Sequence, residues 1–132
     1  MIESSIEFKT AANTGRLSYL DQGPNPATLY VFGGTRAASI GTPAAGSPLC
    51  IITLATPAGT VDAVTGALSL AQLEDGLILT GGDATWCRVF NGDGAPCFDM
   101  DAGLDGSGAE AIFTVTTLYA GGLLRLLSCH LG

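Results

Sequence analysis

The chain has 132 residues and a formal net charge of −7, with five Lys and Arg against twelve Asp and Glu. That length fits one domain around one core, and five cations on an acidic body exclude a nucleic-acid binder that works by phosphate neutralisation. Hydrophobic residues make up 47% of the sequence, which excludes a disordered chain, while charged residues reach only 13%, about half the roughly 25% of ordinary soluble domains.

Residues 1–10 (MIESSIEFKT) carry acids where a secretory signal needs cations, and they lack an apolar central run. The longest apolar stretches, residues 50–55 and 123–127, fall far short of the roughly 18–20 residues of a membrane-spanning helix. The expectation is synthesis in the cytoplasm and no membrane partner. Residues 1–22 hold the chain's one helix-like spacing, at Ile2, Ile6, Leu17 and Leu20, but Asn13-Thr14-Gly15 interrupts it. This predicts an extended arm followed by a short helix or turn over residues 16–21. Gly23-Pro24-Asn25-Pro26 then stops any helix, because each proline keeps its predecessor out of the helical region. The division is therefore an N-terminal arm, residues 1–22, and a β domain, residues 23–132.

From Ala27 onward the periodicity is two. Residues 28–32 (TLYVF) are β-branched and aromatic and read as a strand closed by Gly33-Gly34. Residues 35–47 form a Gly/Ala/Ser/Pro loop with few large apolar side chains. Residues 48–56 (PLCIITLAT) are an unbroken apolar run, a strand buried on both faces, and Pro57-Ala58-Gly59 is predicted to turn the chain. Residues 61–64 and 66–71 are weak strands, and residues 77–80 a short one. Residues 84–90 (ATWCRVF) alternate, with Trp86, Arg88 and Phe90 on one face and Cys87 and Val89 on the other. Asn91-Gly92-Asp93-Gly94 predicts a type I′ hairpin, with residues 96–101 returning and residues 103–108 forming a loop. Residues 111–120 and 123–131 are the last pair, joined at Gly121-Gly122 by a two-residue hairpin. About eight strands at this spacing predict an all-β fold, an antiparallel β-sandwich or jelly roll with an irregular N-terminal arm. The absence of a crossover helix excludes an α/β fold, and no repeat of fixed period is visible.

Residues able to carry chemistry are few. Of the cysteines Cys50, Cys87, Cys97 and Cys129, no two stand as C-x-x-C, and His130 is the sole histidine, so a structural zinc site is not expected. The cysteines read as small buried apolar residues in a reducing compartment; Cys87 and Cys97 flank the hairpin turn and are the pair it could bring together as a disulfide. Asp93, Asp99, Asp101 and Asp105 cluster, with Asp99 and Asp101 on one strand face about 7 Å apart. They read as a solvated acidic edge, because Gly103 stands where a third calcium ligand would be needed. A hydrolytic triad would have to use His130, yet no G-x-S-x-G elbow is present. Gly33-Gly34-Thr35-Arg36 lacks the following lysine of a phosphate loop and reads as a turn. Tyr30, Phe32, Trp86, Phe90, Phe98, Phe113 and Tyr119 read as core rather than as a sugar- or base-stacking row. No catalytic, cofactor-binding or metal-ligating residue is expected, and no cofactor.

The surface carries the functional expectation. Half the side chains of a β domain face outward, and here many of those are Ala, Thr, Ser, Gly or Leu; Lys9 is the one lysine. Sheet edges ordinarily carry lysine or other charges against edge pairing, so edges and weakly polar patches of this chain are expected to be covered by partners. Residues 16–131 also resemble a group of small structural proteins of tailed bacteriophages, often encoded among the head genes. The resemblance rests on Leu29-Tyr30-Val31-Phe32-Gly33-Gly34-Thr35-Arg36, the Gly/Ala/Ser loop, the apolar strand at residues 49–54, and Ala84-Thr85-Trp86-Cys87-Arg88-Val89-Phe90. It continues through the N-G-D-G turn, Phe98-Asp99-Met100-Asp101-Ala102-Gly103, and Thr116-Thr117-Leu118-Tyr119-Ala120-Gly121-Gly122; the cysteines and the leucine-rich last strand depart from it. It implies a non-enzymatic virion component, a capsid cement or decoration protein on the outer shell. Its partners would be the major capsid protein and further copies of itself, contacted through the arm, the loop at residues 35–47 and the strand edges. The acidic balance agrees with an outer position, away from packaged DNA. The alternatives are a tail, baseplate or fibre-associated β domain, and a carbohydrate-binding module built on Trp86.

Overall fold

The computed structural model describes residues 5–131. Helix α1 (Ile6–Leu20) is followed by strands β1 (Thr28–Phe32), β2 (Cys50–Val61), β3 (Leu68–Gln72), β4 (Gly76–Leu77), β5 (Gly82–Asp83), β6 (Trp86–Phe90), β7 (Pro96–Gly103), β8 (Ala111–Phe113), β9 (Thr117–Leu118), β10 (Leu123–Leu124) and β11 (Leu126–Leu131). Seven of them close into a barrel in the order β1-β2-β3-β11-β8-β7-β6, and β10–β4 and β5–β9 form two small ladders beside it. The chain is thus mostly β, as its periodicity predicts. The strands close on themselves, however, where the expectation was a sandwich or jelly roll, and β7 and β8 pair in parallel at Ala102↔Ala111 and Gly103↔Ile112. Period-two patterning and turn spacing are common to both architectures. What closes the barrel is the 12-residue β2, which pairs with β1 through its first half and with β3 through its second.

Leu29, Val31, Ile52, Leu54, Leu68, Cys87, Val89, Met100 and Cys129 fill the interior, each 0–1% exposed. Along β1 and β6 the inward residues alternate with an outward set, Tyr30, Phe32, Trp86, Arg88 and Phe90, so the predicted two faces of residues 84–90 are realised.

The N-terminal segment differs from the expected arm. Its residues 1–4 lie outside the described residues; from Ile6 it is a 15-residue helix. Ser5 caps it by accepting the Phe8 N–H at 3.2 Å. Asn13-Thr14-Gly15 does not break it, because the side-chain polar groups find partners, Asn13 Oδ1 accepting from Arg16 NH1 at 2.8 Å. Asn13 Nδ2 donates to the Gly66 and Leu131 carbonyls at 2.7 and 3.1 Å, and Thr14 Oγ1 donates to the Thr10 carbonyl at 2.7 Å. Leu20, 2% exposed, closes the core at the helix end, and the Asp21 carboxylate accepts the Ala58 N–H at 2.9 Å. The helix therefore packs on its own barrel.

Three predicted turns also differ. Pro57-Ala58-Gly59 does not reverse the chain: β2 continues through it, with the register slipping between Leu54↔Gln72 and Gly59↔Leu70, and a bulge is where a strand tolerates a proline that cannot donate. The Asn91–Gly94 hairpin forms, but its left-handed residue is Gly94 (φ +83°) and no non-glycine described residue has positive φ. Asn91 Oδ1 accepts from the Asp93 and Ala95 N–H groups at 3.0 and 2.9 Å, and Gly92 packs against the Asn25 and Gln22 carbonyls. These contacts hold a turn with a bulge in place of the type I′ geometry. Finally, β8 and β11 do pair, but Gly121-Gly122 is not their hairpin. Residues 114–125 leave the barrel and pair with β4 and β5, through Gly121 N–H to Ile78 C=O and Ile78 N–H to Gly122 C=O, each 2.9 Å.

Candidate functional site

The outward face of β1, β6 and β7 concentrates the side chains singled out above. Phe32 stacks on Trp86 with ring centroids 4.6 Å apart, Tyr30 meets Phe90 at 4.6 Å, and the Arg88 guanidinium lies 5.5 Å from the Trp86 ring centroid. Arg88 is buried. Its Nε and NH2 donate to the two Asp99 carboxylate oxygens at 2.7 and 3.0 Å, while NH1 and NH2 donate to the Thr42 and Ser39 carbonyls at 2.9 and 3.2 Å. The Asp99 hydrogen bonds raise the Arg88 pKa against the opposing effect of burial. Loop residues 33–49 are thus strapped over the aromatic face, with Arg36 adding an ion pair to Asp101 at 3.3 Å and Thr85 Oγ1 donating to the Gly34 carbonyl at 2.7 Å.

This geometry decides several candidates. Trp86 is 1% exposed, so it offers no open platform for a sugar ring; its Nε1 is a buried donor without a partner. Asp99 is bound to Arg88, and among the described residues no group of three or more His, Cys, Asp or Glu is placed to hold a metal ion. In the Gly33–Arg36 segment the Gly34 carbonyl accepts from Thr85, and the Arg36 guanidinium is held by Asp101 and the Asp99 carbonyl.

The cysteines are free. Cys87 faces Met100 across the β6–β7 ladder, and Cys97 falls in a bulge between Val89↔Phe98 and Phe90↔Pro96, so the hairpin does not pair them. Burial pushes the Cys50 thiol up to about 11 and Cys129 to about 12, aided by Glu110. Burial also lifts Cys87 well above its ordinary value, helped by Cys129 and Cys50. Cys97 is raised less, burial being opposed by the Asn91 backbone. Such thiols are poor nucleophiles at neutral pH. His130 Nδ1 lies 2.8 Å from Ser69 Oγ on the exposed β3–β11 ladder. The structure brings these two together, with no carboxylate hydrogen-bonded to the imidazole among the described residues. None of the described cavities contains the pair.

Two surface features were not found from sequence. One is a groove of about 760 Å³ between α1 and β7, lined by Arg16, Tyr19 and Leu20 on one wall and Cys97, Phe98 and Asp99 on the other. The second is an apolar face on the small ladders. Leu77 and Leu123 stand opposite each other at 54% and 63% exposure, beside Leu79 at 53% and Tyr119 at 74%. Buried Ile78 and Leu124 alternate with them and anchor the ladder inward. The alternation Leu77-Ile78-Leu79 is visible in the sequence, but with apolar residues on both faces it does not say which face is wet. No helix among the described residues is long and apolar enough to cross a membrane. The chain matches no protein-family model, no curated protein and no solved structure.

Proposed function

We propose that this chain is a structural virion protein of the capsid cement or decoration type, seated on the outside of the major capsid protein shell. The observation that carries the reading is the set of exposed apolar side chains Leu77, Leu79, Tyr119 and Leu123, bordered by the Asp75–Arg125 ion pair, on a body of net charge −7. Exposed apolar side chains gathered around one small ladder support a surface meant for a partner. Three leucines about half exposed and one tyrosine three-quarters exposed present on the order of a few hundred Å². A stable free-standing interface needs about 800 Å² per partner. One such contact is therefore weak, and it becomes useful where a symmetric lattice repeats it. The bacteriophage resemblance supplies the identity of the lattice.

The test is the composition of purified particles. Quantitative mass spectrometry should find the chain in copy number comparable to the major shell subunit. A handful of copies would move it to the tail or baseplate, and absence from particles would overturn the reading. Leu123→Asp should strip it from the shell while leaving its thermal unfolding unchanged.

A further inference from the structure

The barrel is not paired along its whole circumference. β7 lies beside β6 with Trp86 opposite Asp101, Cys87 opposite Met100 and Arg88 opposite Asp99, but on its other side β8 meets it at Ala102 and Gly103 alone. The Ala102 N–H bonds to the Thr85 carbonyl on the β6 side at 3.0 Å. Backbone groups of an antiparallel strand alternate sides, so those of Asp99 and Asp101 point away from β6. Side chains stand in for a strand there. Arg36 NH2 donates to the Asp99 carbonyl at 3.1 Å, and the Asp101 N–H donates to Glu110 Oε1 at 3.4 Å. Both Arg36 and Glu110 are exposed residues of flanking loops. Toward Cys97 the same edge opens into the α1–β7 groove, where the space beside Gly15 is empty.

We propose that the open edge of β7, from Cys97 to Asp101, accepts an extended basic segment of another protein as an added strand. The incoming backbone would replace Arg36 and Glu110 at the two edge residues, as strand addition does on other open sheets. Its apolar side chains would lie along the groove wall made by Arg16, Tyr19, Leu20 and Phe98, with its cations turned to the acidic rim. Charge selects the occupant. Asp101 is already paired with Arg36, but Asp105 and Glu110 are exposed along the rim and in no ion pair among the described residues, so lysine or arginine on the added strand is matched by these two. A second copy is a poor source: it carries −7, and Arg36, Arg88 and Arg125, three of its five cations, already sit in ion pairs. This inference does not rest on the virion reading.

The experiment uses the full ¹⁵N-labelled chain and the blocked peptide acetyl-KVTVKV-amide, beside the same peptide N-methylated at alternate residues, equal in charge but unable to pair. The plain peptide should give saturable shifts centred on residues 97–101 and slow amide exchange at Asp99 and Asp101 about tenfold. The methylated peptide should do neither. Asp101→Pro, compared with Asp101→Asn as control for the lost Arg36 ion pair, removes the outward N–H without touching the β6 ladder, which an edge position tolerates. It should weaken the plain peptide about tenfold while leaving Trp86 fluorescence unchanged. Equal binding of both peptides, shifts centred on Leu77 and Leu123, or no saturable shift at millimolar peptide would overturn the proposal. So would a dimer of the chain that Asp101→Pro abolishes.

Discussion

Replacing Asp99 by Asn removes one charge from a pair whose side chains are each 5% exposed and leaves the Arg88 guanidinium facing neutral acceptors. Arg88 makes four hydrogen bonds, two to Asp99 and one each to Thr42 and Ser39. The carbonyls cannot neutralise it, and water is excluded by the loop they belong to. Breaking a buried pair from one side costs about 3–5 kcal/mol, a large part of the roughly 5–15 kcal/mol that a domain has in total. With a urea slope of about 2 kcal/mol/M for this size, the midpoint should fall by about 2 M. Trp86 is the only tryptophan and lies beneath the guanidinium, so its fluorescence reports both unfolding and release of the strap. Acrylamide should quench it more readily in Asp99→Asn than in the parent before urea is added. A midpoint shift worth less than about 1 kcal/mol, with quenching unchanged, would refute the reasoning: the pair would then behave as a solvated surface bridge, and the strap would owe nothing to it.

Asn13→Ala deletes two hydrogen bonds to buried or half-buried carbonyls and the one Asn13 accepts from Arg16 and should cost about 1–3 kcal/mol in calorimetric or urea unfolding, with early loss of helical circular dichroism. A thiol reagent at neutral pH should modify Cys97 first and leave Cys50, Cys87 and Cys129, all 0% exposed, unreacted until the protein unfolds; intact-mass measurement counts the adducts. Those three thiols hold their protons more tightly when folded. The unfolded chain therefore ionises first, and stability should be fully present below the ordinary cysteine pKa near 8.5 and fall as pH rises above it, by up to about 1.4 kcal/mol per pH unit for each thiol. Flat stability between pH 8 and pH 10.5 would contradict this.

The β content, the two faces of residues 84–90 and the Asn91–Gly94 reversal were all legible, because each depends on near neighbours in sequence. The barrel was not. Its closure depends on where β2 bends and on a parallel joint of two residue pairs, neither of which leaves a periodic trace. Helix α1 was missed because Asn13 looks like a breaker until its partners, 53 and 118 residues away, are known. The same holds for Arg88: alternation placed it beside Trp86, but only the fold brings Asp99 and the Ser39 and Thr42 carbonyls to it. The leucine face escaped notice because its residues come from strands separated by some forty positions, joined through Ile78 and Gly122.

Asn13 sits near one end of the chain and Leu131 near the other, and a single amide side chain holds them together with the bend at Gly66 between. A growing polypeptide cannot make that three-way clasp until residue 131 has left the ribosome. The helix can dock on Gly66 and Ala58 before that, but its hold on β11 comes only with Leu131. Breaking the Leu131 contact should therefore loosen the helix more than a hundred positions away in sequence.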